Sequence, residues 1–166
     1  MTTATETEQT LTFTADVEIK AADGKKPTVA ILAYGGGILT LPVGDVVVDL
    51  AGMEIPASIP LLSDHENARG SIVGQVQAKH DGKALKATGF LTAATPAGQE
   101  LIALAKDGIR FQASIGAKGT EFERVRPGET VDVNGQQLQS SSPLRVARKS
   151  VLREISIVAK IGRAHV

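Results

Sequence analysis

The sequence contains no cysteine and no tryptophan, and aromatic residues make up only 3% of it. The absence of cysteine excludes disulfides, thiolate metal sites and thiol nucleophiles. A core must therefore be built mainly from aliphatic side chains, and covalent catalysis would need Ser, Thr or Lys. Neither sign of charge is in excess, since 18 Lys and Arg residues face 18 Asp and Glu residues. This balance gives no electrostatic reason to expect nucleic acid or an anionic membrane as a partner.

Long apolar runs are also missing, because none approaches the roughly 20 residues that a membrane-crossing helix needs. The first residues, MTTATETEQT, lack the basic and apolar regions of a signal peptide. We therefore expect an intracellular, soluble protein. The 166 residues, 42% of them hydrophobic, suffice for one domain with a sizeable core. The expected layout is a flexible N-terminus over residues 1–9, one domain over 10–159 and a tail over 160–166.

The tail has an unusual composition for a domain end. Residues 160–166 read KIGRAHV, and their reverse translation is compatible with a sequencing-adapter sequence read in frame. We therefore expect this tail to be non-native or truncated, with the natural chain continuing past it. An ordinary polar tail is the alternative. In either case His165 is left out of every catalytic argument.

Short strands dominate the pattern of the remaining chain. Clean alternation over 12–19 predicts a half-buried strand, and Asp81-Gly82 predicts a hairpin between strands at 71–79 and 83–91. Further strands are predicted at 28–33, 46–50, 109–117, 121–125 and 151–159, with a hairpin at Asn134-Gly135. A single clear helix follows Thr95, a capping residue, and ends near Gly108. This pattern predicts a mainly β domain with few helices (α+β) and a curled or barrel-like sheet.

Ser114 is the first candidate for chemistry. In the stretch 109–117, apolar residues alternate with Arg110, Gln112, Ser114 and Gly116. Successive strand residues point to opposite faces, so Ser114 should point away from the core. On the same face, Gly116 would leave room for the backbone of a substrate. A strand serine without any role is the alternative.

His65 is the second candidate, since it follows an apolar stretch and lies between Asp64 and Glu66. An imidazole can accept a proton near neutral pH, as a serine nucleophile requires of its neighbour. The alternatives are an exposed loop histidine and a metal ligand beside the two acids. Adjacent positions on an extended chain point in different directions, so we expect no metal site. His80, before Asp81-Gly82, is expected to be a solvated turn residue.

Glu154 is the third candidate. In the stretch 151–159 its predicted face also carries Leu152, Ser156 and Val158. A carboxylate among apolar neighbours needs a partner, and an imidazole would serve. The alternative is a salt bridge to one of the nearby cations, Arg145, Arg148, Lys149 or Arg153. Because no aromatic residue interrupts these cations, they are expected to form a solvated face or line a substrate groove rather than bind nucleic acid.

Four motifs occur in order: IPLLSDH at 59–65, IVG at 72–74, QASIG at 112–116 and LREISIV at 152–158. With the helix before the serine strand, they make residues 27–159 resemble the prohead proteases of tailed bacteriophages. The resemblance implies a fold related to the herpesvirus assemblins. It also implies a serine endopeptidase inside the procapsid, in the cytoplasm of the host bacterium. Such an enzyme cuts scaffold or the scaffolding segment of the major capsid protein, and often itself.

The resemblance assigns roles to the three candidates. His65 matches the family's histidine, Ser114 its nucleophile and Glu154 the acidic residue of the last strand. His65 would accept the Ser114 proton and return it to the leaving amine, while Glu154 would orient the imidazole. The capsid protein and scaffold are the expected partners, as substrates. No cofactor, metal, nucleic acid or membrane is expected, and the oligomeric state stays open.

Two other functions are compatible with the sequence. The first is a non-catalytic capsid scaffold or assembly protein on the same fold, which does not require His65 and Ser114 to meet. The second is a metal-dependent hydrolase around Asp64, His65 and Glu66, which would lose its activity in the presence of a chelator.

Overall fold

The computed structural model of the chain describes residues 8–22 and 24–160. The predicted tail beyond Lys160, with His165, and most of the predicted flexible N-terminus lie outside the described residues. Strands and one α-helix account for most of the described part: β1 (Gln9–Lys20), β2 (Thr28–Tyr34), β3 (Leu39–Leu41), β4 (Gly44–Val48), β5 (Met53–Glu54), β6 (Ile59–Ser63), β7 (Ile72–His80), β8 (Leu85–Leu91), α1 (Pro96–Lys106), β9 (Phe111–Val125), β10 (Thr130–Val133), β11 (Gln136–Gln139) and β12 (Leu144–Ala159). Short 3-10 turns span Leu50–Gly52 and Arg69–Ser71.

Seven of the strands close into a barrel in the order β12, β6, β7, β8, β2, β1 and β9, and β9 pairs back with β12. The β6–β12 pair is parallel and its neighbours in the barrel are antiparallel. The other half of β12 pairs with β4 and β5, and β10 and β11 form a separate hairpin. The predicted mainly β architecture with a barrel-like sheet is confirmed.

The barrel interior is filled by the apolar residues that alternate along each strand. On β1, Leu11 and Phe13 pair with Ala117 and Ile115 of β9, and all four are buried. Aliphatic residues from the other strands complete one continuous core. At roughly 25 cal/mol per Å² of apolar surface, this burial is the main stabilising contribution to the fold. None of the helices in the described ranges is both long and apolar enough to pass through a membrane.

The predicted cap of α1 and the predicted hairpin at Asp81-Gly82 are both present. Thr95 Oγ1 accepts a hydrogen bond from Gly98 N at 3.0 Å, so the predicted cap starts α1. The buried Leu101 and Ile102 turn the helix toward the barrel, where it packs on β7. At the β7–β8 hairpin, the exposed His80 accepts a hydrogen bond from Gly82 N through Nδ1. His80 is exposed as predicted, but it is the last residue of β7 and pairs with Leu85 rather than lying in the turn itself.

The predicted break between strands 109–117 and 121–125 is wrong, because β9 continues from Phe111 to Val125. Gly119 lies at the predicted break. A Cβ atom there would come within 2.4 Å of the Phe122 ring, so the glycine makes room for an aromatic side chain that packs over the strand. The last strand is likewise longer than predicted, since it begins at Leu144.

Asn134 fastens the β10–β11 hairpin to the barrel. This buried residue has φ = 53° and occupies the predicted turn with Gly135. Its amide nitrogen donates to Gly36 O at 3.0 Å and to Val48 O at 2.7 Å, and its Oδ1 accepts from Leu50 N at 2.9 Å. One side chain thus satisfies backbone groups of Gly36, Val48 and Leu50.

We expect Asn134→Ala to lower the free energy of unfolding by about 2–4 kcal/mol. The change removes three hydrogen bonds at a buried position and leaves their backbone partners without this amide. Urea unfolding followed by circular dichroism measures the effect. Gln137→Ala, on an exposed position of the same hairpin, should stay within about 0.5 kcal/mol. Equal losses in the two variants would contradict this role of Asn134.

Candidate active site

His65 lies in a tight turn directly after β6. Glu66 N donates to Ser63 O at 3.0 Å, which closes the turn, and Asp64 N donates to Ile157 O of β12 at 3.1 Å. The two central residues, Asp64 and His65, have φ of 50° and 64°. Turns with two positive φ values normally contain Asn-Gly, because side chains are strained there. Strain of this kind costs roughly 1–3 kcal/mol per residue and is typical of functional sites.

Glu154 holds the imidazole of this turn. His65 Nδ1 and Glu154 Oε2 are hydrogen-bonded, although the two residues are 89 positions apart in the sequence. Their side chains are 49% and 31% exposed, so the pair lies at the surface of the barrel. With Nδ1 donating to the carboxylate, Nε2 is the nitrogen free to accept a proton. A histidine that acts as a general base beside a carboxylate has this orientation.

A β-bulge in β12 aims Glu154 at the outer face of the barrel. Leu152 pairs with Ala117 and Glu154 with Gly116, which leaves Arg153 as the extra residue. Leu152 is buried in the core, whereas Glu154 shares the outer face with Ser156. The prediction that Leu152 and Glu154 lie on one face is therefore wrong, since the bulge shifts the alternation by one residue.

Ser156 connects Glu154 to the serine strand. Its Oγ donates to Glu154 Oε2 at 3.1 Å, and the residue is fully buried. The same carboxylate oxygen therefore contacts both Ser156 and His65. Ser156 is a positioning residue for Glu154 that the sequence analysis did not single out. The signal was available in the Glu154-Ile155-Ser156 spacing, which brings both polar side chains to one face of the strand.

Ser114 lies on β9 directly opposite Ser156. Its neighbours Ala113 and Ile115 are fully buried in the core, so Ser114 faces outward as predicted. The residue is nevertheless buried, with only 4% of its surface exposed. Within the described residues, no hydrogen bond joins Ser114 to His65. The structure thus brings His65 and Glu154 into contact. Ser114 is opposite Ser156, which in turn donates to the carboxylate of Glu154.

Gly116 lies beside this group on β9. The three atoms nearest to a Cβ built at this position all belong to Glu154, at 3.5 to 3.9 Å. These are ordinary contact distances, so the packing of β9 does not require a glycine here. The approach of a substrate backbone at Gly116 stays a prediction.

The metal alternative requires Asp64, His65 and Glu66 to converge, and they do not. His65 contacts Glu154, while Glu66 accepts a hydrogen bond from Ser71 Oγ at 2.7 Å. Over residues 8–22 and 24–160, no group of three acidic or histidine side chains is placed to hold a metal ion. The residues of this turn therefore do not form a chelating set.

Three of the four cations considered as alternative partners of Glu154 contact other groups. Arg148 donates to Glu123 at 2.7 Å and to Asp49 at 3.1 Å, and Lys149 lies 3.7 Å from Glu121. Arg145 stacks over the Phe122 ring. The carboxylate of Glu154 is bound by His65 and Ser156 instead.

Four cavities have volumes of about 220 to 450 Å³, and none of these four is lined by His65, Ser114 or Glu154. The smallest of them is next to the candidate site, since Ser63, Asp64 and Ile157 are among its lining residues. His65 and Glu154 are partly exposed, whereas Ser114 and Ser156 are buried.

Comparisons of this chain with protein-family models, curated proteins and solved structures found no match. The resemblance of the four motifs to the prohead proteases therefore stays a prediction, and the contacts of His65, Glu154, Ser156 and Ser114 carry the functional argument.

Proposed function

We propose that the protein is a serine endopeptidase that cleaves scaffold, or the scaffolding segment of the major capsid protein, during phage prohead maturation, and that it also cleaves itself. The observation that carries the proposal is the contact between His65 and Glu154. It supplies an oriented base beside the strand of Ser114. The order of the four sequence motifs supports the substrate class.

In the proposed chemistry the three side chains take the roles that the resemblance implies. Ser114 Oγ attacks the peptide carbonyl as its proton passes to His65 Nε2, and Glu154 stabilises the imidazolium that forms. The proton then goes to the leaving amine, and water releases the acyl group by the same route. Proton transfer needs Oγ and Nε2 within about 2.6–3.2 Å, a contact that often tightens only when substrate binds.

A second function is favoured by one observation. Ser114 is nearly buried and makes no hydrogen bond to His65 within the described residues. A non-catalytic scaffold or assembly protein on this fold would have an unreactive serine at this position. The two functions therefore differ in the reactivity of Ser114.

A fluorophosphonate probe tests that difference. We expect the native protein to be labelled on Ser114, as mapped by mass spectrometry, because the probe reacts with a serine that a neighbouring base activates. Labelling should fall at least about a thousandfold in His65→Ala, since members of such a unit act together. His80→Ala removes a histidine from a distant hairpin and should be labelled like the native protein. A folded native protein that is not labelled would favour the scaffold function.

A further inference from the structure

One cation lies on the same outer face as Ser114, and a second is exposed on the neighbouring strand. Lys118 is on β9, an even number of positions beyond Ser114 and on the same side of the strand. At 3.2–3.4 Å per residue, the two residues are about 13 Å apart along the strand. Arg153, the extra residue of the bulge, is exposed immediately before Glu154. Gly116 lies between Ser114 and Lys118, and a Cβ atom built there would be in ordinary contact with Glu154.

Lys118 already pairs with a carboxylate from an extended chain. Glu8, directly before β1, lies with its carboxylate 2.5 Å from Lys118 Nζ. Lys118, and to a smaller extent Arg153, lower the pKa of the Glu8 carboxyl. The Glu8 side chain is 56% exposed and lies at the end of the strand, where a surface ion pair is weak and can exchange.

The opposite end of the face carries an ion pair of its own. Asp16 of β1 pairs with Gln112 of β9, on the other side of Ser114 from Lys118. Its side chain is 85% exposed, and its carboxylate lies 3.9 Å from Lys160 Nζ. Asp16 is thus already paired with a cation, as Lys118 is paired with Glu8.

We propose that Lys118 and Arg153 form a subsite for an Asp or Glu side chain of the substrate, about four extended residues from the bond that is cut, and that Glu8 occupies this subsite when no substrate is bound. This inference rests on the proposed endopeptidase function. It identifies the substrate as a chain with an acidic residue at a fixed distance to one side of the cleavage site.

Cleavage of a defined mixture of extended peptides, read by mass spectrometry, tests the selectivity. The native protein should cut peptides with Asp or Glu three to five positions from the cleaved bond about five- to tenfold faster than their amide counterparts. Lys118→Glu combined with Arg153→Glu should reverse the preference toward Lys or Arg at that position. Lys149→Glu, a cation that pairs with Glu121 away from this face, should keep the native preference. The same acidic preference in native and doubly reversed proteins would overturn the proposal.

A binding measurement separates the subsite from the chemistry. Full-length protein carrying Ser114→Ala and Glu8→Gln, which vacates Lys118, is titrated with a fluorescent extended octapeptide that contains either Glu or Gln. The Glu peptide should bind about fivefold tighter by anisotropy, and the difference should shrink at high salt. Equal binding of both peptides would overturn the subsite. Tighter binding of the Glu peptide without any cleavage by the native protein would leave the subsite standing and contradict the endopeptidase function.

Discussion

The variant His65→Gly should be at least as stable as the native protein, while its rate of peptide-bond cleavage should fall by more than about ten-thousandfold. The loss of activity follows because the base is gone and Ser114 keeps its proton. The stability follows from the backbone, since position 65 has φ = 64°, where a side chain is strained and glycine is not. The ion pair lost with Glu154 is half exposed and contributes about 0–1 kcal/mol.

His65→Ala isolates the backbone contribution. It also removes the imidazole, so it should be as inactive as His65→Gly, but its Cβ atom keeps the strain. We expect the glycine variant to be more stable than the alanine variant by about 1 kcal/mol in urea unfolding. If alanine were the more stable of the two, the strained turn would be disproved. Cleavage by either variant at the native rate would remove His65 from the mechanism.

Glu154→Gln should lower kcat by about a thousandfold or more and leave the fold intact. The amide keeps the size of the side chain and can still accept from Ser156, but it carries no charge to stabilise the imidazolium. It can also bind the wrong imidazole tautomer, as an amide does in place of the carboxylate in other triads. Steady-state cleavage of a peptide substrate measures the loss, and thermal unfolding shows whether the fold is kept.

Glu66→Gln is the matched control for this prediction. Glu66 is in the same turn as His65, but its carboxylate binds Ser71 rather than the imidazole. Its activity should stay within a few fold of the native value. A similar loss of activity in both variants would mean that activity depends on the conformation of the turn rather than on the carboxylate of Glu154.

The main elements of the fold could be predicted from local patterns. Alternation located β1, Asp81-Gly82 and Asn134-Gly135 marked two hairpins, and Thr95 with Pro96 marked the start of α1. These signals are local, because each depends on a few neighbouring residues. Closure of the sheet was predicted only as a curled or barrel-like shape, since strand order depends on long-range pairing.

The candidate site could be predicted only in part, because the rest depends on strand pairing and backbone conformation. The three residues were named from sequence, and the contact between His65 and Glu154 is present in the structure. The bulge at Arg153 was missed, because an extra residue in one strand depends on its partner β9. The positive φ values at Asp64 and His65 were missed because neither residue type requires them, as glycine would. Ser156 was missed as a partner of Glu154, although the two residues are two positions apart on one strand and therefore share a face.

The most direct test of the central claim is the co-expression of this protein with the major capsid and scaffold proteins that it is proposed to cleave, with the masses of those two proteins as the readout. The native protein should produce shortened products, and Ser114→Ala should produce none. Ser156→Ala removes the neighbouring hydroxyl, which only positions Glu154, and should still cut within about tenfold of the native rate. Equal cutting by native protein and Ser114→Ala, or no cutting by a folded native protein in assembled capsids, would contradict the assignment of Ser114 as the nucleophile of a maturation protease.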